Sequence, residues 1–386
     1  MEQLVTSDFK LGIIAGGQLG KMLALAASNW DLKTYILDPN ENCPASTICT
    51  NYTKGDYNDY ATVYEFGKKV DMITFDIENI NTEALLQLKK EGKRIFPEPE
   101  ILKLIQDKGL QKQFFQEHTI PSSAFQLFTS KDEILTAIAD GKLHLPFVQK
   151  LRTSGYDGKG VEVITSEVDL PRLMEGSSLV EAKVNVKKEL AVIIARNSKG
   201  EMKSFPMVEM EFNQEANLVE RLICPSSEPL PIQEKAKALA EQIISNLKMT
   251  GILAVEFFLD ESDQLYVNEV APRTHNSGHH TIESCITSQY EQHLRSILGF
   301  ALGSTEIKIP SVMINLLGEK NEYGKVKYEG LTESMGIEGT KIHIYGKKET
   351  TPYRKMGHVT ILDKSIDAAK LKAKKVSETL KVKAWK

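Results

Sequence analysis

Two glutamates, Glu256 and Glu269, lie on either side of a short polar turn, each inside a strand-like apolar run. Leu253, Val255, Phe257 and Leu259 share one face of the first run, and Ala254 and Phe258 share the other with Glu256. A strand apolar on both faces is normally buried on both. A carboxylate inside it is costly unless something charged meets it. An even-numbered turn, Ser262-Asp263 or Glu261 to Gln264, would set Glu256 opposite Glu269 with Cβ atoms ~5 Å apart. Two carboxylates so placed need a cation between them. Hard oxygen ligands suit Mg²⁺, which binds through one or two carboxylates plus substrate phosphates, with Mn²⁺ able to substitute. Asn268 could add an amide oxygen. The competing reading is a hairpin with one solvated edge.

The segment after this hairpin, Ala271-Pro-Arg273-Thr-His275-Asn-Ser-Gly-His279-His280, concentrates a guanidinium, three imidazoles and small polar groups. Loops of that kind on a rigid scaffold are where sites sit. A zinc cluster of His275, His279 and His280 is an alternative without support from any cysteine pattern.

A second chemical stretch is Pro146-Phe-Val-Gln-Lys150-Leu-Arg152-Thr-Ser-Gly155-Tyr156-Asp157-Gly158-Lys159-Gly160-Val161, which reads as strand, glycine-rich turn, strand. Three glycines allow close backbone approach to an anion, and their amides can donate to it. Lys150 and Lys159 add charge. No helix follows a GKS/T signature, so this is not a Walker A loop. A glycine-rich hairpin over phosphates is the kinase-like solution, and a flexible surface hairpin is the competing one. Further on, Glu181 could accept from an adenine amine and Glu189 from ribose hydroxyls, although each alone reads as a surface glutamate.

The elements that must position these groups follow from the patterning. Lys10–Asp38 reads as strand, glycine turn, helix, strand, acid, the dinucleotide-fold βαβ pattern. Asp38 stands near the place of a ribose ligand, so NAD binding competes with a structural unit or with a phosphate at the helix N-terminus. Val70–Ile80 is a strand ending at Glu78 and Asn79, and ligands bind at that end of a parallel sheet. A helix beginning at Glu98-Pro99-Glu100 runs on through Leu102, Ile105, Leu110, Phe114 and Phe115, with Lys108 on its polar side. Short β runs (312–317, 340–345, 358–362) and a final basic helix close the chain, with basic turns around Lys347 and Tyr353 to His358 within reach of a phosphate.

The length, 386 residues, suffices for two or three domains. A net charge of −4 leaves no nucleic-acid footprint. No apolar stretch is long enough to span a membrane, and the N-terminus has no signal-peptide pattern. The four cysteines (43, 49, 224, 285) have no CxxC spacing and read as buried, reduced thiols of a cytoplasmic protein.

Taken together, Gly16-Gly-Gln-Leu-Gly-Lys-Met22, Asp76-Ile-Glu-Asn79, Gly155-Tyr-Asp-Gly-Lys-Gly160, Val255-Glu-Phe-Phe258, Val267-Asn-Glu-Val-Ala-Pro-Arg-Thr-His-Asn-Ser-Gly-His279 and Arg354-Lys-Met-Gly-His-Val359 resemble, in order, the ATP-grasp family. The closer resemblance is to its ATP-dependent 5-(carboxyamino)imidazole ribonucleotide synthetases. That resemblance implies an α/β and α+β ATP-grasp fold. A Rossmann-like preATP-grasp domain would span 1–100, an ATP-grasp domain 101–305 with its lid about 119–182, and a small β-rich domain 306–386.

It also implies ATP-driven carboxylation of aminoimidazole ribonucleotide by bicarbonate through carboxyphosphate, in a homodimer without nucleic-acid or membrane partners. Glu256 and Glu269 would hold the metal. ATP would meet Lys108, Lys150, Gly155 to Gly160, Val161, Glu181, Ala182, Lys183, Val184, Glu189, Asn268 and Glu269. Arg273, His275, Lys355 and Asp157 would carry the chemistry. Gln18, Leu19, Lys347, Arg354 and Lys355 would hold the ribonucleotide phosphate, and Glu78, Asn79, Tyr156, Asp157 and Arg273 would line the rest of that substrate. The chain departs from the family at Ala15, where a first glycine is usual and a negative φ would make alanine tolerable. It also departs at Val161, at Thr274 and at Phe212, which stands where relatives often carry a histidine and is left out of the site.

Overall fold

The computed structural model describes residues 7–153, 160–213 and 218–385. The N-terminal sheet is five-stranded and parallel, in the order Asn51–Lys54, Lys33–Asp38, Lys10–Ile14, Met72–Phe75, Arg94–Ile95. Strand order reverses beside Lys10–Ile14, so the glycine turn after it opens at the switch point where such sheets bind ligands. The helix Gln18–Ser28 starts there with Gly17 as its N-cap and no side chain capping it. Its first backbone N–H groups are thus not taken by a cap.

Two expectations about this turn fail. Ala15 does not have a negative φ; it stands at +68°, in the left-handed region. The turn is held there because Ala15 N donates to Leu37 O and Gly16 N to Asp38 Oδ2, both at 2.8 Å. Asp38, the ribose candidate, is buried and spends its other oxygen on Asn40 N. It braces the turn, and the NAD reading loses its acid.

The helix expected to start at Glu98 is two helices, Pro99–Ile105 and Lys108–Glu117. Asp107 breaks it, because its side chain accepts from Gly109 N and Leu110 N and caps the second helix. The same carboxylate takes Arg152 Nε at 2.9 Å and Nη2 at 2.6 Å. The break turns Lys108 away from solvent and toward the hairpin.

That hairpin, Gly251–Asp260 and Leu265–Ala271, forms one edge of a nine-stranded sheet. Leu253, Val255, Phe257 and Leu259 pack beneath it with Ala236, Leu239, Ala240, Ile243 and Ile244 of the helix Leu230–Asn246. The sheet continues through Val186–Arg196, Val208–Asn213 and Leu218–Cys224 into Ser311–Leu317, Lys355–Leu362 and Thr340–Ile344. One β layer therefore carries both the hairpin and the Arg354-Lys355 turn. The basic helix Ile366–Thr379 does not end the chain; the strand Lys381–Ala384 follows and pairs with Gly324–Glu329.

A separate four-stranded sheet, ordered Phe125–Phe128, Ser178–Ala182, Phe147–Leu151, Val161–Ile164, stands over the hairpin. The strands at Glu181 and Glu189 thus belong to different sheets, and Lys183 and Val184 cross between them. No helix among the described residues is long and apolar enough to cross a membrane. Cys43, Cys224 and Cys285 are buried free thiols, but Cys49 is only half-buried.

A methyl group on Gly20 would sit 2.7 Å from the Ala15 carbonyl oxygen, a backbone atom that cannot swing aside. Gly20→Ala should destabilise the protein by about 1–3 kcal/mol, read as a lower urea midpoint; an unchanged midpoint would contradict this packing.

Candidate functional site

Glu256 does oppose Glu269, but not through an even turn. Leu259 pairs with Leu265 and Phe257 with Val267, so the turn is odd, with Asp263 at φ +57°. The register then slips between Phe257 and Glu256, and one extra residue, Asn268, enters the second strand. Such a β-bulge sets two residues against one. Here it brings Asn268 and Glu269 together across from Glu256.

Asn268 and Glu269 each meet a lysine from another element. Lys108 Nζ, at the start of its helix, donates to Glu269 Oε2 at 2.6 Å. Lys150 Nζ, from the upper sheet, donates to Asn268 Oδ1 at 2.9 Å and lies 2.7 Å from Glu181 Oε2. Lys112 Nζ lies 2.7 Å from Glu181 Oε1. Burial alone would raise the Glu181 carboxyl, but Lys150 and Lys112 outweigh it and hold it down at about 2. Glu181 is therefore not a surface residue; each of its oxygens faces a lysine. Beside it, Ala182 and Lys183 are exposed, Val184 is half-buried, and their backbone borders the gap between the sheets.

The charges do not balance around Glu256. Lys108 holds Glu269 well below the ordinary carboxylate range, whereas burial, then Glu269 and Glu189, push Glu256 well above it. Burial also pushes Glu189 up to about 7. A carboxyl that favours its proton because it is shielded from water and stands beside other acids has room for a cation. Two opposed carboxylates with an amide oxygen beside them suit Mg²⁺, whose remaining ligands are usually water and phosphate. Among the described residues no group of three or more His, Cys, Asp or Glu is arranged to hold a metal, which removes the zinc alternative. His279 instead bonds the Tyr290 hydroxyl through Nδ1 at 2.9 Å and stacks on His358, which stacks on His343. Burial keeps His279, His280 and His358 below the ordinary histidine range.

Arg273 and His275 stand next to this floor. Arg273 Nη2 lies 2.7 Å from Glu78 Oε1 and 2.9 Å from its Oε2, tying the site loop to the end of the N-terminal sheet. Asn79 beside it is exposed. Ser277 N donates to His275 Nδ1 at 3.3 Å, so the neutral ring carries its proton on Nε2, 3.6 Å from Glu256 Oε1. Buried Gln289 fixes the backbone here: its Oε1 accepts from His275 N at 2.9 Å and its Nε2 donates to His275 O at 2.7 Å.

The basic turns come in from the third side. Lys347 Nζ donates to Lys355 O at 2.7 Å, and Arg354 Nη1 to Glu349 O at 2.6 Å. Lys21, in the helix after the glycine turn, donates to Ile344 O and Tyr345 O, docking the two segments together. Gln18 is half-buried at that helix start, but the Leu19 side chain is in the core, so only its backbone can face a ligand. Gly160, at φ +75°, accepts from Leu151 N through its carbonyl, and Val161 begins the next strand. Gly155, Tyr156, Asp157, Gly158 and Lys159 lie outside the described residues. Phe212 is half-buried against an apolar cluster.

Sequence reasoning missed Lys112, Gln289 and the Asp107–Arg152 pair. A signal existed for Lys112, which follows Lys108 by one helical turn and so shares its face. Gln289 lies in another helix and nothing local marks it.

In the ligand-free protein Glu256 and Glu189 bind their protons more tightly folded than unfolded. Stability should therefore fall as pH rises from the ordinary carboxylate range through neutrality. Without divalent metal, Glu256→Gln should resist urea better than wild type at pH 8 by about 1 kcal/mol or more, with the advantage fading toward pH 5. A difference independent of pH would refute the assignment.

Comparison with known proteins matches this arrangement. Residues 9–106 match the ribonucleotide synthetase preATP-grasp domain, 113–290 the ATP-grasp domain and 311–372 the phosphoribosylaminoimidazole carboxylase C-terminal domain. The chain is 36% identical over 371 residues to the N5-carboxyaminoimidazole ribonucleotide synthase of Bacillus subtilis, covering 95% of this chain and 94% of that one. It is similar to the crystal structure of the Thermotoga maritima N5-carboxyaminoimidazole ribonucleotide synthetase, with a TM-score of 0.90, 40% identity and coverage of 98% and 100%. The Aspergillus clavatus synthase, solved with ADP and 5-aminoimidazole ribonucleotide, gives a TM-score of 0.88 at 29% identity, with coverage of 96% and 98%. With an acid pair on a bulged hairpin, lysines from two directions and relatives aligned along nearly its whole length, the chain belongs to the ATP-grasp family of N5-carboxyaminoimidazole ribonucleotide synthetases.

Proposed function

We propose that the protein is an ATP-dependent carbon–nitrogen ligase that carboxylates 5-aminoimidazole ribonucleotide with bicarbonate, a step of purine biosynthesis. The observation that carries this reading is the convergence of Glu256 and Glu269 with Lys108, Lys150, Arg273 and His275 on one floor. A bicarbonate oxygen attacks the γ-phosphorus of ATP and ADP leaves. The exocyclic amine then attacks the carboxyl carbon of carboxyphosphate, releasing phosphate and giving 5-carboxyaminoimidazole ribonucleotide.

Phosphoryl transfer of this kind asks for charge neutralisation and alignment more than covalent help. Lys108 and Lys150 supply positive charge to the phosphates from opposite sides. Mg²⁺ bound by Glu256 and Glu269 would neutralise phosphate charge and orient the chain of phosphates. The backbone of Ala182, Lys183 and Val184 borders the adenine, with Glu181 fixing Lys150 beneath it. Glu189 faces the ribose hydroxyls. Arg273 and His275 hold bicarbonate and then carboxyphosphate, the guanidinium held in place by Glu78 and the tautomer of the neutral imidazole by Ser277.

Gln18, the Leu19 amide, Lys347, Arg354 and Lys355 take the ribonucleotide phosphate at the switch point. Glu78, Asn79 and the 155–160 turn, with Tyr156 and Asp157, cover the aminoimidazole and exclude water from an intermediate that hydrolyses readily. A cytoplasmic homodimer belongs to the same reading, and sedimentation velocity tests its second half.

Phosphate release from MgATP should require both bicarbonate and aminoimidazole ribonucleotide. Release with formate in place of bicarbonate, or without the ribonucleotide, would refute the reading. Glu269→Gln should cut turnover by roughly 10³-fold or more with the fold intact; retained activity would contradict the metal assignment. Lys355→Ala should raise KM for the ribonucleotide about tenfold or more while KM for ATP changes little.

A further inference from the structure

The bulge that seats Asn268 and Glu269 occurs on an edge strand, where backbone groups lack a β partner. Other segments cover that edge. Val267 N donates to Pro121 O at 2.8 Å and Val270 N to Gln111 Oε1 at 3.2 Å. Between them, Lys112 Nζ reaches Val267 O at 3.4 Å. Gln111 and Lys112 are adjacent on the helix Lys108–Glu117, and both are buried.

Lys112 is only 2% exposed, and its three donors meet acceptors from three segments: Glu181 Oε1, Ser123 Oγ at 3.4 Å and Val267 O. The contacts close into a ring. Lys112 joins Glu181, Glu181 joins Lys150, Lys150 joins Asn268, and the Asn268 peptide returns through Val267 to Lys112. The ring ties the upper sheet to the floor through one buried ammonium. Solvent does not reach this ammonium, so a nucleotide lying above Lys150 and Glu269 would not touch it.

We propose that Lys112 is a positioning residue for nucleotide binding: it pins the bulge at Val267 and, through Glu181, sets where the Lys150 ammonium stands. The inference rests on the ligase reading for the identity of the nucleotide. Lys112→Met keeps the length of the side chain and removes its donors. Glu181 is then left to Lys150 alone, which draws that ammonium toward Glu181, and the Val267 carbonyl loses its partner.

The full-length Lys112→Met protein is assayed for KM of ATP and of aminoimidazole ribonucleotide and, separately, for thermal stabilisation by MgADP. KM for ATP should rise about tenfold or more, KM for the ribonucleotide should stay within about twofold, and the MgADP concentration giving half-maximal stabilisation should rise in parallel with the first. Equal effects on both substrates, or none, would overturn the proposal, since a packing role alone does not single out ATP. If Lys112→Met does not fold, Lys112→Gln is measured against the same expectations; failure of both to fold would make Lys112 a residue of the fold and overturn the assignment. If wild type shows no ribonucleotide-dependent turnover, the ligase reading fails, while the MgADP shift still decides the role of Lys112.

Discussion

The site depends on one extra residue in an edge strand. Side chains in a β pair alternate between faces, so an odd turn without correction would have carried Glu269 out of register with Glu256. The bulge at Asn268 restores their opposition and adds an amide to the same neighbourhood. Lys108, Lys150, His275 and the backbone contacts at Val267 and Val270 all converge there. An unpaired edge is normally a liability; here the helix beginning at Lys108 covers it, and that helix also supplies the charge facing the acids.

Three sheets meet around this point, and each contributes what the others lack. The parallel N-terminal sheet gives an uncapped helix start and Glu78. The four-stranded sheet brings Lys150 from above. The nine-stranded sheet carries the acid pair at one edge and the Arg354-Lys355 turn further across. Asp107 is a small residue with a large effect here: one carboxylate ends one helix, begins the next and holds Arg152 at the root of the glycine turn.

The site is arranged for charge that comes from outside the chain. Glu269 has Lys108, and Glu181 has two lysines, but Glu256 and Glu189, both half-buried, have no lysine or arginine partner among the described residues. Such a surplus of acid costs stability, the usual trade at a working site. Away from it, histidines stack on one another, His279 on His358 and His358 on His343.

The order of motifs along the chain, the two apolar faces around Glu256 and the glycine turn before the helix Gln18–Ser28 were legible in sequence because they depend on local periodicity and residue type. So was the family, because its motifs recur in order over nearly the whole length. Tertiary structure decided the rest. It set the parity of the turn and the bulge that corrects it, since register depends on the partner strand. It set the positive φ at Ala15, imposed by hydrogen bonds to Leu37 and Asp38, and it made Asp38 a brace. It placed Lys112 and Gln289 behind Glu181 and His275, because a buried partner from a distant segment leaves no local pattern. Sequence fixes which groups are present and how they alternate; only the packing of separate segments determines which of them share a charge.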